Sequence, residues 1–356
     1  MPMPVALSVC RGRRSDEGQA PTIRSPQPGC PLPALTVSRE PVHTDGVLSG
    51  ATPDATPGVA SLWRRRPGGS LFQRLAQPVP NLALRMARWG VVIVLAYGLV
   101  AVFTPLAIQL GWLPDPNAGL ENAIQAAPSW QHWCGTDRLG RDVCVRTLAG
   151  SGVALQVVLI ALTAALLIGV PLGMVSGYLG GAVDRLLVLL MDTLYTLPVL
   201  LLSVVLAFLL GRGLANAAAA LCVVYVPQYF RVVRNQSAQV KADLFIEAAR
   251  SLGAGPLWIL RRYLLRNVIT SVPVLLSLNA ADAVLVLGGL GFLGLGLPET
   301  VPEWGGDLQQ ALTAVPTGIW WTALYPGAAM FVLVLGLSFL GEGLEAWLAG
   351  QDQRAQ

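Results

Sequence analysis

Lysine is almost missing from this 356-residue chain: Lys241 is the single one, and it follows Val240. A Walker-type phosphate loop needs Gly-Lys followed by Ser or Thr, so the chain has none, and any ATP-driven work must come from another subunit. Charge as a whole is scarce. Asp, Glu, Lys and Arg together make up 12%, about half the share of a soluble domain. Histidine occurs twice, and the five cysteines (Cys10, Cys30, Cys134, Cys144, Cys222) contain no Cys-x-x-Cys pair. Neither a metal site nor a bound cofactor is expected from that set. Cys134 and Cys144 share one loop between apolar runs, where they either pair in an oxidising compartment or stand as two free thiols.

What is abundant is apolar. Hydrophobic residues make up 54% of the chain and mean hydropathy is +0.58. Several runs reach the roughly 20 residues that cross a bilayer. The expected fold is an all-α integral membrane protein with about six transmembrane helices, embedded in a lipid bilayer. The net charge of +4 comes mainly from arginines clustered between the runs, so it reports orientation rather than nucleic-acid binding. Residues 1–80 are rich in Pro, Gly, Ser, Thr and Arg and lack apolar periodicity, which predicts disorder. They read as a cytoplasmic tail or as the product of a start codon assigned too early, because no apolar signal core precedes Trp89. Residues 81–348 should form the membrane domain and 349–356 a C-terminal tail.

The spans fall at about 89–108, 152–178, a third ending near 210, 214–229, 268–287 and 322–340. Gly169, Gly173 and Gly177, four apart on the second span, make a groove for a neighbouring helix. Pro198 lies inside the third span and can kink it. Glycines at 288, 289, 291, 294 and 296 make a long regular helix costly, so that stretch reads as broken, re-entrant or tightly packed at the outer mouth.

Between the fourth and fifth spans, residues 243–267 (DLFIEAARSLGAGPLWILRRYLLRN) read as helix, glycine turn, helix. Asp243 is the expected N-cap. Phe245, Ala248, Ala249 and Leu252 recur at helical spacing as one apolar stripe, with Glu247, Arg250 and Ser251 opposite. Gly253 lies just past the stripe, where a chain leaving a helix takes a left-handed turn. Pro256 suits the start of the second helix, which Leu257, Leu260 and Leu264 stripe. Such a hairpin is either an interfacial helix held flat by arginines or a docking element for a soluble partner. The hairpin loop is rich in Arg, and the loop after the fifth span carries Glu299, Glu303 and Asp307 without Lys or Arg. The positive-inside rule makes the hairpin and both termini cytoplasmic. Within the fifth span Asp282 either lines a translocation path or bonds across to another helix.

Glu247-Ala248-Ala249, three residues, then Gly253 resembles the EAA loop of bacterial ABC importer permeases. Arg250 stands inside that loop. Leu265 and Asn267 fit the rest of the pattern, and Tyr263 and Arg266 depart from it. His132, Gly135, Thr136, Asp137, Gly140, Arg141, Asp142 and Arg146 match a longer segment of the dipeptide, oligopeptide and nickel permeases, in their second-subunit branch. Trp133 and Cys134 replace the usual Pro-Leu. Asp184, Asp192, Pro198, Pro227, Tyr229, Arg231 and Arg234 fit further segments, as does the Phe-Leu-Gly-Leu-Gly run at 292–296. Leu287 stands near the place of a common acid, and Glu345 stands where an arginine is usual.

The resemblance covers about residues 89–348 and implies a permease subunit of the bacterial inner membrane. Its partners would be a second homologous permease, ATP-binding subunits docking on Glu247, Ala248, Ala249, Arg250 and Gly253, and an extracytoplasmic solute-binding protein. The implied work is uptake of di- or oligopeptides by alternating access, with nickel or another small solute as the alternative cargo and no chemistry by this chain. The external loop around Asp137 and Arg141 is either a structural turn or a contact for the solute-binding protein. A self-contained secondary carrier would need inverted repeats, and the sequence has none.

Overall fold

A computed structural model describes residues 80–119 and 122–355. The stretch expected to be disordered lies outside them, except for Pro80. The helices are α1 (Pro80–Gln109), α2 (Val143–Leu179), α3 (Gly181–Tyr195), α4 (Val199–Leu210), α5 (Leu214–Lys241) and α6 (Leu244–Ser251). Then come α7 (Pro256–Ile259), a π-turn (Leu260–Leu264), α8 (Leu265–Val268), α9 (Val272–Phe292), α10 (Trp304–Ala311) and α11 (Trp321–Ala355). The 349–355 segment continues α11, so the expected tail is helical.

α1, α2, α5, α9 and α11 are each long and apolar enough to cross a membrane. The third expected span is a pair, α3 and α4, meeting at 90°. Packing decides how that pair is used. A methyl group added at Gly169 would lie 2.8 Å from Tyr229 Cβ, one at Gly173 would lie 2.7 Å from the Phe230 oxygen, and one at Gly177 would lie 2.5 Å from the Arg234 oxygen. The contacts advance along both helices in the same sense, so α2 and α5 run parallel. Only a return crossing between them allows that, and α3 with α4 makes it. The count is therefore six, with Leu197-Pro198 at the bend, since proline pushes the residue before it out of helical geometry.

The glycine groove brings two backbones together over a core of Val157, Ala161, Leu162 and Ala165 against Leu221, Tyr225 and Tyr229. α1 lies antiparallel on α11: Ala87 meets Gly343, Gly90 meets Leu340, and the Tyr97 hydroxyl donates to the Ala329 oxygen at 2.8 Å. Both ends of the membrane domain thus emerge on the same side as the hairpin. The glycine-rich stretch differs from expectation in part. α9 stays helical through Gly288, Gly289 and Gly291, because the missing side chains admit Met330 and Glu303, and the chain turns only after Phe292. Tertiary contact outweighs the propensity cost.

Candidate functional site

The hairpin is α6, a turn, and α7 to α8. Asp243 adopts the extended N-cap backbone, but its carboxylate makes no capping bond. The expected stripe is split by the fold: of its members only Ala249 is covered, and Phe245, Ala248 and Leu252 lie outward. Ile246 and Ala249 are buried, whereas Leu244 is 82% and Leu252 89% exposed, and Phe245 is exposed. Ala248 and Glu247 share that open side. Sequence periodicity locates a stripe but not its partner, and here the floor formed by α2 and α5 selects the Ile246 side. The second helix is corrected in the same way. Leu257 and Trp258 are exposed, and Ile259, Leu264 and Val268 are buried. Ile259 and Leu264 are five apart yet share a face because the intervening turn is π-helical, a wider winding than the α-helix.

These three join Ile246, Val170, Met174, Tyr178, Val233 and Val240 in one apolar cluster that roots the hairpin on α2 and α5. Gly253 ends α6 at φ +84, with no heavy atom within 4 Å of where a Cβ would stand. Its role is conformational, not a matter of space. Arg250 holds its guanidinium 5.0 Å from the ring centre of Tyr178, and Lys241 its ammonium at 5.9 Å. Nearby, Arg234 forks onto both oxygens of Asp184 at 2.5 and 2.7 Å. Arg231 donates to Asp192 at 2.7 Å and stacks on Tyr195. The matched acids and arginines of α3 and α5 are thus each other's partners.

At the opposite end, the matched loop residues form a buried knot. Thr136, Asp137, Arg141, Asp142 and Arg146 are all buried. Arg141 donates to Asp137 at 2.6 Å and reaches the Glu299 carbonyl and Gln310 Oε1. Asp137 also accepts from the N–H groups of Leu139 and Arg141. Asp142 caps α2 by accepting from the Val145 N–H at 3.1 Å, and its other oxygen lies 2.9 Å from His132 Nδ1. Thr136 links Ala123 to Ala126, and Trp321 donates to its carbonyl. Gly135 and Gly140 press against Trp321 and Gly119. Cys134 and Cys144 are joined as a disulfide.

Arg146 donates twice to Asp307, at 3.0 and 2.7 Å, and Arg138 pairs with Glu299. Glu299 and Asp307, two of the three acids in the loop after α9, are thereby paired with arginines some 160 residues earlier, a pairing the sequence alone does not carry. Glu303, at the start of α10, accepts from the Gly305 and Gly306 N–H groups at 2.8 and 2.9 Å. Burial nonetheless pushes its carboxyl up to about 7, and Asp307 is also raised by burial, against the pull of Arg146.

Asp282 sits midway along α9 and is exposed on the face turned away from the core. The hydroxyl of buried Tyr225 donates to its Oδ2 at 2.8 Å. Sequence reasoning did not find Tyr178, Ile246, Ile259, Tyr225 or Glu303 as parts of these sites. Only Tyr178, inside the matched Gly-Tyr segment, carried a signal. Among the described residues no group of three His, Cys, Asp or Glu is placed to hold a metal ion.

A six-crossing helical domain with a rooted, partly apolar hairpin at one end and a locked polar knot at the other defines a polytopic transport subunit. The chain belongs to the family of binding-protein-dependent transport system inner membrane components, which it matches over residues 169–350. It is 34% identical to the dipeptide transport system permease protein DppC of Alkalihalophilus pseudofirmus, over 73% of this chain and 84% of that protein. It is 35% identical to the probable D,D-dipeptide transport system permease protein DdpC of Escherichia coli, over 71% and 83%. A third relative, the glutathione transport system permease protein GsiD of Pectobacterium atrosepticum, is 34% identical over 62% and 73%.

Proposed function

We propose that the chain is one of two permease subunits of an ATP-driven peptide importer in a bacterial inner membrane. The hairpin and both ends of the membrane domain, residues 81–348, face the cytoplasm. The observation that carries this reading is the two-sided hairpin. Ile246, Ile259 and Leu264 anchor it to α2 and α5, and Leu244, Leu252, Leu257 and Trp258 offer open apolar surface beside Arg261 and Arg262. A helix pair so built fits a groove on a soluble partner, here an ATP-binding subunit. Glu247, Ala248, Ala249, Arg250 and Gly253 shape that contact. The chain itself catalyses nothing; it moves cargo delivered by an extracytoplasmic solute-binding protein. Peptide cargo is supported by the relatives, named for dipeptides, D,D-dipeptides and glutathione.

The decisive experiment purifies the chain with the second permease and ATPases and reconstitutes the complex in liposomes with the binding protein. ATP-dependent accumulation of a radiolabelled tripeptide is the expected result. Failure of the ATPases to associate, or labelling of the hairpin from the outside of cells, overturns the reading.

A further inference from the structure

In α9 the eleventh of 21 residues is an acid, Asp282, and it is the only ionisable side chain in that helix. Its neighbours Ala281, Ala283, Val284, Val286 and Leu287 are packed into the core, so Asp282 points out of the subunit, on the side of Leu278 and Leu285. An ionised carboxylate is not stable against lipid tails, and acids within spans face a bundle interior or a wet passage. That side of α9 therefore borders an aqueous or intersubunit space.

The surroundings of Asp282 orient its charge without cancelling it. Tyr225, fully buried on α5, donates its hydroxyl to Oδ2. Oδ1 receives no hydrogen bond from the described residues, and none of the ion pairs among them includes Asp282. The other acids of the helical core region, Asp184 and Asp192, each hold an arginine. One turn nearer the hairpin on the same two helices, the buried Tyr229 hydroxyl and Asn279 amide lie beside each other, too far apart for a well-formed hydrogen bond. The α5–α9 seam thus carries a polar stripe with one uncompensated negative end.

We propose that Asp282, fixed by Tyr225, receives the positively charged ammonium of the cargo during its passage. The chemistry selects a ligand with a primary ammonium, which donates to the open Oδ1, and the free amino end of a peptide has that group. This assignment rests on the transport reading above and adds to it a contact point and a charge requirement.

Two measurements test it on the reconstituted complex. In the first, Leu285→Cys places a thiol one turn along the exposed face, and its modification by ethylammonium and by ethylsulfonate methanethiosulfonates is compared. The same protein without the added cysteine serves as background. With Asp282 present the ratio of cationic to anionic rates, divided by the same ratio for a small free thiol, should be roughly fivefold to tenfold, the size of a charge effect over a few ångströms of water. Asp282→Asn should bring that normalised ratio close to one. In the second, uptake of trialanine at saturating loaded binding protein should fall roughly tenfold in Asp282→Asn, the loss of about one charge-assisted contact. Asp282→Glu should keep most of it.

Wild-type protein that carries no peptide removes the transport reading itself. Wild-type uptake with Asp282→Asn uptake unchanged removes this inference alone. So does a Leu285→Cys thiol that neither reagent reaches in any nucleotide state, or an Asp282→Asn chain that no longer assembles with the second permease. The last outcome would give Asp282 a basic partner on that subunit instead of cargo.

Discussion

The guanidinium of Arg250 lies 5.0 Å from the centre of the Tyr178 ring, joining the first helix of the hairpin to the last turn of α2. Tyr178 is buried there, in the same cluster as Ile246. Movement of the hairpin therefore reaches α2 through an aromatic contact as well as through aliphatic packing. Tyr178→Ala should lower peptide uptake per ATP hydrolysed while ATPase activity persists. Tyr178→Phe keeps the ring face that attracts the cation and should behave as wild type. The ratio of cargo moved to phosphate released in liposomes is the readout.

Gly253 makes a sharper case because nothing crowds it. With φ at +84, an ordinary L residue is strained by roughly 1–2 kcal/mol in the left-handed region, and asparagine tolerates it best. Uptake should rank Gly253, then Gly253→Asn, then Gly253→Val. Equal uptake by all three would remove the turn from the coupling mechanism.

Space, not backbone angle, is the constraint at Gly173. A side chain there meets the Phe230 carbonyl and Val233, so Gly173→Leu should lower the unfolding temperature of the detergent-solubilised protein. Overpacking of this kind costs about 1–3 kcal/mol or more. Gly98→Leu is the matched control, since no atom lies within 4 Å of its Cβ position, and it should leave the transition unmoved.

In the polar knot, Arg146 and Asp307 pair with their side chains only 3% and 13% exposed. Removing one member leaves the other uncompensated, at a cost of about 3–5 kcal/mol. Arg146→Met should destabilise strongly, and Arg146→Met with Asp307→Leu should regain much of the loss. A double-mutant cycle on thermal unfolding measures the coupling.

Acidity acts on the same region through Glu303. Its carboxyl titrates at about 7 in the folded chain, against 4.5 for the free group, so the folded state holds the proton more tightly than the unfolded one. Stability should fall as pH rises from about 4.5 to 7 and then level off, because the unfolded chain binds fewer protons over that window. Asp307, also raised, acts in the same sense. Glu303→Gln should flatten the profile while lowering overall stability, since its amide nitrogen donates and cannot replace the second oxygen that accepts from a glycine N–H. Unfolding midpoints at pH 5 and pH 8 are sufficient to check this.

The crossings were legible because bilayer thickness imposes length and composition on each of them, and the 169, 173, 177 glycine spacing pointed to its groove. Facing was not legible. α2 is apolar nearly all round, so its sequence has no period that tells core from lipid, and the stripe read on α6 left out Ile246, the residue its packing buries most fully. The five-residue step from Ile259 to Leu264 defeats a 3.6-residue template. Proline at 198 located the bend in the third crossing without its 90° angle. For the knot, loop character was evident from Gly135, Gly140 and Asp142. Its partners Glu299, Asp307 and Gln310 sit beyond four further crossings, where no local pattern reaches.

At 37 residues, α2 is about 55 Å long by helical rise, well beyond the roughly 30 Å of a hydrocarbon layer. Its first turn is clamped by the Asp142 cap and Arg146, its last by Tyr178, and α5 is welded along its lower half. A displacement imposed at one end has little slack in which to dissipate before reaching the other. The helix is in this respect closer to a strut than to a chain of hinges, with Pro171 as the proline within it, and a chemical bridge pinning its Asp142 end should restrain the hairpin at the other.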